Sequence, residues 1–251
     1  MNALARNTVL CVALWGTIVL GSAGIAAGQI PDKFTNLQVL PKDIGKGELV
    51  GMMRGFAGAL GQRCNFCHKG EDPNSLEGYD FASDDSEHKR VARVMMQMVQ
   101  EINGTLLPKI GREPEHEVSC VTCHHGVKEP ETMEDVLHEA IEKGGVPAAA
   151  ARYRELREEY YGKGAYDFSS GPMNSVAETL VRQGNDLDGA IELMRANVEF
   201  NSDEPFAHLM LGQLYSQKGD KDAAVASVTR ALELEPNNEW AQQMLQRMKS
   251  N

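Results

Sequence analysis

Cys64-Asn65-Phe66-Cys67-His68 and Cys120-Val121-Thr122-Cys123-His124 set one pattern, Cys-x-x-Cys-His, twice into the same chain. The spacing has a physical basis. Two thiols about one helical turn apart reach the two vinyl groups of a single haem and form thioethers. The histidine that follows then lies against the iron as its proximal ligand. Zinc takes paired cysteines, but a zinc site gives no reason for a histidine after both pairs. A redox dithiol needs a thioredoxin-like strand and helix setting, and no strand-like alternation is present. With 5 Cys and 7 His in 251 residues, two coincidental matches are not credible. The expectation is two covalent haem c groups with their iron, held by Cys64, Cys67 and His68 and by Cys120, Cys123 and His124.

Working outward, each motif follows a stretch with helical periodicity. Leu49, Met53, Phe56 and Leu60 predict a helix over Glu48–Gln62, stopped by Gly61. Val91, Met95, Met98 and Ile102 form one stripe of a second helix over Asp84–Ile102, closed by Asn103-Gly104. Lys69–Ser83 between them reads as loop, and Gln29–Lys46, with Pro31 and Pro41, as an extended lead-in. Both helices carry clustered methionine, a soft axial ligand that raises reduction potential. Met53 sits at the centre of its stripe and Met52 at the edge. Met95 and Met98 share a stripe, and Met96 points elsewhere. Methionine also fills cores, so the pattern alone leaves the ligand open. His88, His116 and His138 are further sixth-ligand candidates. His125 directly follows His124, cannot reach the same iron and is expected at the surface. His208 reads as packing or surface.

The first 28 residues read as an export signal: Arg6 is the charged start, Thr8–Ile25 the apolar run and Ala26-Ala27-Gly28 the small-residue cleavage site, with Gln29 the mature start. The location implied is the periplasm. The apolar run is also long enough for an uncleaved membrane anchor. Cys11 leaves with the signal, so the mature chain holds two cysteine pairs and nothing over. The formal net charge of -11 excludes nucleic acid as a partner, because a phosphate backbone needs a basic face.

The last third carries a repeat. Leu211-Gly212, Tyr215, Ala224, Ala231 and Pro236 fall where a tetratricopeptide repeat places its small, aromatic and terminating residues, and Ala190 lies 34 residues before Ala224. The earlier turn, Gly184-Asn185-Asp186, is one residue longer than Gly219-Asp220, and Trp240, Met244 and Leu245 predict a capping helix. Two helices, Met133–Glu142 and Val146–Tyr161, are expected ahead of it. The predicted fold is all-α. Residues 29–128 form a two-haem c-type cytochrome domain, 129–170 a helical linker and 171–251 a tetratricopeptide-like helical-repeat domain.

Met53-Arg54-Gly55-Phe56 and Leu60-Gly61 before the first motif resemble the cytochrome c subunit of bacterial photosynthetic reaction centres. So do Ala92-Arg93-Val94-Met95-Met96-Gln97-Met98 and Ile102-Asn103, followed by Val121-Thr122-Cys123-His124 and Gly126. The resemblance covers about residues 33 to 128. It implies that the helix before each motif supplies a methionine to that haem's iron, Met53 for the first and Met98 for the second, with Met95 in reserve. The function it implies is electron transfer between a redox protein donor and acceptor, with a membrane reaction centre or a respiratory complex as the partner. The family's subunit carries four haem motifs against two here, and the repeat tail is not part of it, so photosynthesis is less firmly implied than haem ligation. Two rivals follow from other features. A two-haem peroxidase-type enzyme would need an open iron, which the methionines near both motifs oppose. A repeat-based scaffold carrying haem is motivated by the tail, through which protein docking is expected.

Overall fold

Gly61 stops the first helix as expected. Helix α1, Lys46–Leu60, ends where Gly61 turns left-handed (φ 62°) and the chain's next amides bond back to Ala57 and Gly58. The first motif then forms a single turn, α2, Cys64–Cys67. The computed structural model describes residues 30–70, 72, 74–111 and 116–250. The export signal with Cys11 lies outside these residues. Helix α3 spans Glu87–Glu101.

The predicted stop at Asn103-Gly104 does not occur. The chain widens into a π-helical turn, Ile102–Leu106, and adds a short turn, α4, Leu107–Lys109, with Pro108 in its first positions. The reason lies in a distant partner. The Asn103 side chain is taken up by the backbone of Val118, so it does not cap its own helix. The second motif forms α5, Cys120–His124, capped reciprocally by Ser119 and Thr122. It ends at His125, which is left-handed at φ 47°.

Thr132 and Asp135 cap α6, Met133–Tyr160. Non-helical Gly144 and Gly145, with Pro147 just beyond, break it into the two expected pieces. Five helices follow: α7 Gly171–Gly184, α8 Leu187–Phe200, α9 Pro205–Lys218, α10 Lys221–Leu234 and α11 Glu239–Ser250. Asp186 and Asp220, 34 residues apart, cap α8 and α10 by the same bond, to the amides of Gly189 and Ala223. The longer first turn is absorbed by Asn185 at φ 49°. Among the described residues the fold is all helix and loop, with one isolated bridge between Lys69 and Asp80.

The core lies almost wholly in the second half. Met133, Leu137, Tyr153 and Leu156 of α6 pack in one cluster with Met173, Leu193, Met194 and Leu211. The 129–170 segment is therefore built into the same core as the repeats. Gly212 lets α9 and α10 approach: a Cβ there would come within 2.7 Å of the Val228 side chain. Fully buried Asn197 joins α7 and α8 by donating to the Ser170 carbonyl and Asn174 Oδ1, while Asn201 Nδ2 donates to Asn197 Oδ1. Before residue 130 the buried apolar side chains are only Ile44, Leu49, Ala59 and Val127, among the described residues.

Candidate haem-binding sites

The first motif opens onto a cavity of about 280 Å³. The α2 turn closes through the His68 amide onto the Cys64 carbonyl at 2.9 Å, which sets the histidine just past the two thiols. Cys64, Cys67 and His68 line one side of the cavity, and Met53 of α1 lines it as well. Both cysteines are free thiols. Burial pushes the Cys67 thiol above its ordinary pKa. Burial, then Lys89, push His68 below the ordinary imidazole value against a smaller upward pull from the Phe81 carbonyl. Both effects favour the neutral ring, the form that binds a metal. His68 Nδ1 is buried without a hydrogen-bond partner, the one such side-chain nitrogen or oxygen among the described residues. A ring nitrogen unused by the protein, two free thiols and a thioether around one cavity fit haem c.

Part of the cavity lining is charged and lies close enough to act on the motif itself. Lys89 and Arg93 of α3 line the cavity with side chains only 12% and 13% exposed. Lys89 donates to the carbonyls of Phe81 (3.0 Å) and Ser83 (2.6 Å). Arg93 pairs with Asp84 at 2.8 Å, and Asn36 and Gln38 donate to the same carboxylate at 2.8 and 3.0 Å. The Arg93 and Asn36 bonds hold Asp84 far below the usual carboxylate range. This network ties the lead-in across the cavity, so residues 30–40 form part of its wall. Sequence reading gave that segment no site role, and only its inclusion in the resemblance pointed to one. Met96 also lines this cavity; on the sequence pattern it faced away from the Met95 and Met98 stripe, and here that direction leads to the first site.

The second motif is held differently. His124 is 9% exposed, and its Nδ1 lies 3.0 Å from the Val127 carbonyl. A carbonyl can only accept, so Nδ1 carries the proton and Nε2 is left for a metal. Cys120 and Cys123 are free thiols, and burial raises the Cys120 thiol. Apolar side chains lie open on α3 and on the motif itself: Val91, Val94, Met98 (42% exposed) and Val121. Met98 is thus a surface residue of α3, about 7 Å along the helix axis from Asn103, whose side chain grips the residue two before Cys120. The structure gathers Met53 with the first motif; it leaves Met98 exposed on the helix that leads to the second.

The two motifs are interlocked. The end of α1 packs on the turn after the second motif, where the Gly126 amide donates to the Ala59 carbonyl at 2.9 Å. Gly61 fits there because a Cβ would strike the Gly126 carbonyl. The start of α3 packs on the first motif: Ser86 Oγ donates to the Phe66 carbonyl at 3.4 Å, and His88 stacks on Phe66 at 3.9 Å. His88 thus lies stacked on the first motif's Phe66 at an exposed position. His116 and His125 are exposed, His138 is half-buried on α6, and buried His208 places its Nε2 3.0 Å from the Ser202 carbonyl.

Comparison with known proteins agrees with this geometry. Residues 22–185 match the family described as photosynthetic reaction centre cytochrome C subunit. Residues 207–238, covering α9 and α10, match the tetratricopeptide repeat. Cytochrome c-554 of Chloroflexus aurantiacus is 28% identical over 111 residues, which are 41% of this chain and 24% of that protein. The chain thus matches about a quarter of that relative's length.

Proposed function

The chain belongs to the photosynthetic reaction centre cytochrome C subunit family, and on that premise we propose that it is a periplasmic electron carrier with two covalent haem c groups. Family membership suggests haem-based electron transfer rather than enzymatic turnover. Bound haem supplies one-electron exchange at its iron. The chain's own residues supply attachment and environment. Cys64, Cys67, Cys120 and Cys123 carry the thioethers, and His68 and His124 would each give a ring nitrogen to the iron of their motif's haem. Met53 and Met98 would add thioether ligands, which raise the potentials. Lys89 and Arg93, both paired with Asp84, place charge close to His68 in the first site. The repeats dock a redox protein partner, a membrane reaction centre or a respiratory complex, and the N-terminal segment directs export.

The observation that supports this reading most is the cavity shared by Met53, Cys64, Cys67 and His68. The test is mass spectrometry of the denatured, natively matured protein, with alkylation. Two added haem masses and no reactive thiol are expected. One haem, or a thiol in either motif that alkylates, would overturn the two-haem reading.

A further inference from the structure

At the far end of the repeats, α9, α10 and α11 enclose a groove of about 590 Å³. Its lining includes Gln213 and Gln217 from α9, Lys221 from α10, and Trp240, Met244 and Arg247 from α11. Trp240 is 41% exposed, although it belongs to the residue types that bury most area. No acidic side chain lines the groove. That is a local inversion of charge, because the whole chain has 36 Asp and Glu against 25 Lys and Arg. Asp220, Asp222 and Glu239 adjoin Lys221 and Trp240 in the sequence but are not among the groove-lining residues. Lys221 and Arg247 are exposed, and neither is ion-paired among the described residues, whereas the adjacent Lys218 is paired with Asp188 at 2.6 Å.

We propose that this groove binds an acidic segment of a protein partner. Carboxylates of the segment meet Lys221 and Arg247, an apolar side chain rests on Trp240 and Met244, and the amides of Gln213 and Gln217 serve its backbone, since each can both donate and accept. Tryptophan and arginine in one concave site are the residue types that carry most binding energy at interfaces. The chain's overall negative charge does not prevent this. At physiological salt the screening length is about 8 Å, so distant acidic residues are screened and a segment seated in the groove meets Lys221 and Arg247 at contact, with only the neighbouring Asp220, Asp222 and Glu239 opposing them. The inference deepens the docking role proposed for the repeats by giving the chemistry of what docks.

The experiment uses the full haem-loaded protein and a dye-labelled peptide in which glutamates flank a leucine, read by fluorescence anisotropy. The acidic peptide is expected to bind and to weaken with added salt. Its lysine-substituted counterpart should fail to bind. Lys221→Glu together with Arg247→Glu should weaken binding about tenfold, and Trp240→Ala should weaken it as well, with circular dichroism and haem absorbance unchanged. No binding, equal binding of the acidic and basic peptides, or affinity indifferent to the charge reversal would overturn the proposal. If the acidic peptide fails while Trp240→Ala in the full haem-loaded chain still slows electron exchange with the native partner, the docking role stands and its acidic specificity falls.

Discussion

Asn103 holds the backbone of Val118 at both of its polar groups: the Val118 amide donates to Oδ1 and Nδ2 donates to the Val118 carbonyl, each at 2.8 Å. One side chain thereby imitates a strand partner for the segment that leads into the second motif. It also fixes that segment to the π-helical turn at the end of the Met98 helix. Widened turns of this kind gather at functional sites. Asn103→Ala removes both bonds and leaves Val118 to find water. It should destabilise the haem-loaded protein by about 1–3 kcal/mol, read as a lower denaturant midpoint at unchanged slope. Asn103→Gln should not restore it, because the extra methylene shifts the amide off the Val118 groups. An unchanged midpoint in Asn103→Ala would show that the pair has no structural weight.

The methionine ligands proposed for the two irons make a second, separate prediction. Met53→Ala should open the first iron to carbon monoxide and lower that haem's potential by on the order of a tenth of a volt. Met98→Ala should do the same at the second. Histidine at either position should keep six-coordination and still lower the potential. If spectra and potentials of both alanine variants match the parent protein, the assignment fails. Met96 in the first cavity and Met95 on α3 are then the residues to replace next.

What the sequence made legible was local. The two motifs, the helices ahead of them and the 34-residue spacing of Ala190 and Ala224 all depend on residues a few positions apart, or on one repeated unit. The end of α3 was misread because it is decided by Val118, far along the chain, and no Asn-Gly rule contains that partner. The lead-in looked structureless because its role as a cavity wall comes through Asn36 and Gln38 reaching Asp84. Helical phase placed Met96 off the Met98 stripe correctly, but phase carries no information about which neighbour the other face meets. The charge of the terminal groove was hidden for the same reason, since Lys221 and Arg247 converge only when α10 and α11 pack.

Gly212 supplies a test of the repeat packing. Its position on α9 faces Val228 and the Ala224 carbonyl of α10, which a Cβ there would meet at 2.7 and 3.2 Å. Gly212→Ala gains helix propensity worth about 1 kcal/mol. Against that, it must push apart two helices with backbone atoms in the way, an overpacking cost of about 1–3 kcal/mol. Net destabilisation is expected in thermal unfolding of the tail. Adding Val228→Ala should recover part of it by clearing the nearest contact, so the two substitutions should be less than additive. A stabilised Gly212→Ala would mean that the close approach is not obligatory.

Loss of haem should divide the molecule unevenly. Residues 30–128 bury four apolar side chains, Ile44, Leu49, Ala59 and Val127, among the described residues. Ordering a residue's backbone costs about 1–2 kcal/mol, and so small an apolar core cannot offset that for a segment of this length. The helices that carry Met53 and Met98 therefore need something else to pack on, and covalent haem is the group their motifs fit. The tail has its own core, a buried Asn197 network and capped helices. In a chain with Cys64, Cys67, Cys120 and Cys123 all replaced by Ala, hydrogen exchange should show α7 to α10 protected nearly as in the loaded protein. Amides of α1 and α3 should exchange close to unfolded rates, with a matching loss of helical circular dichroism. Replacing only Cys120 and Cys123 should loosen α1 as well as α5, because the Gly126 amide bonds to the Ala59 carbonyl and Gly61 sits against the same turn. Persistent protection of α1 and α3 in the haem-free chain would show that the first half folds without the groups its motifs are built to hold.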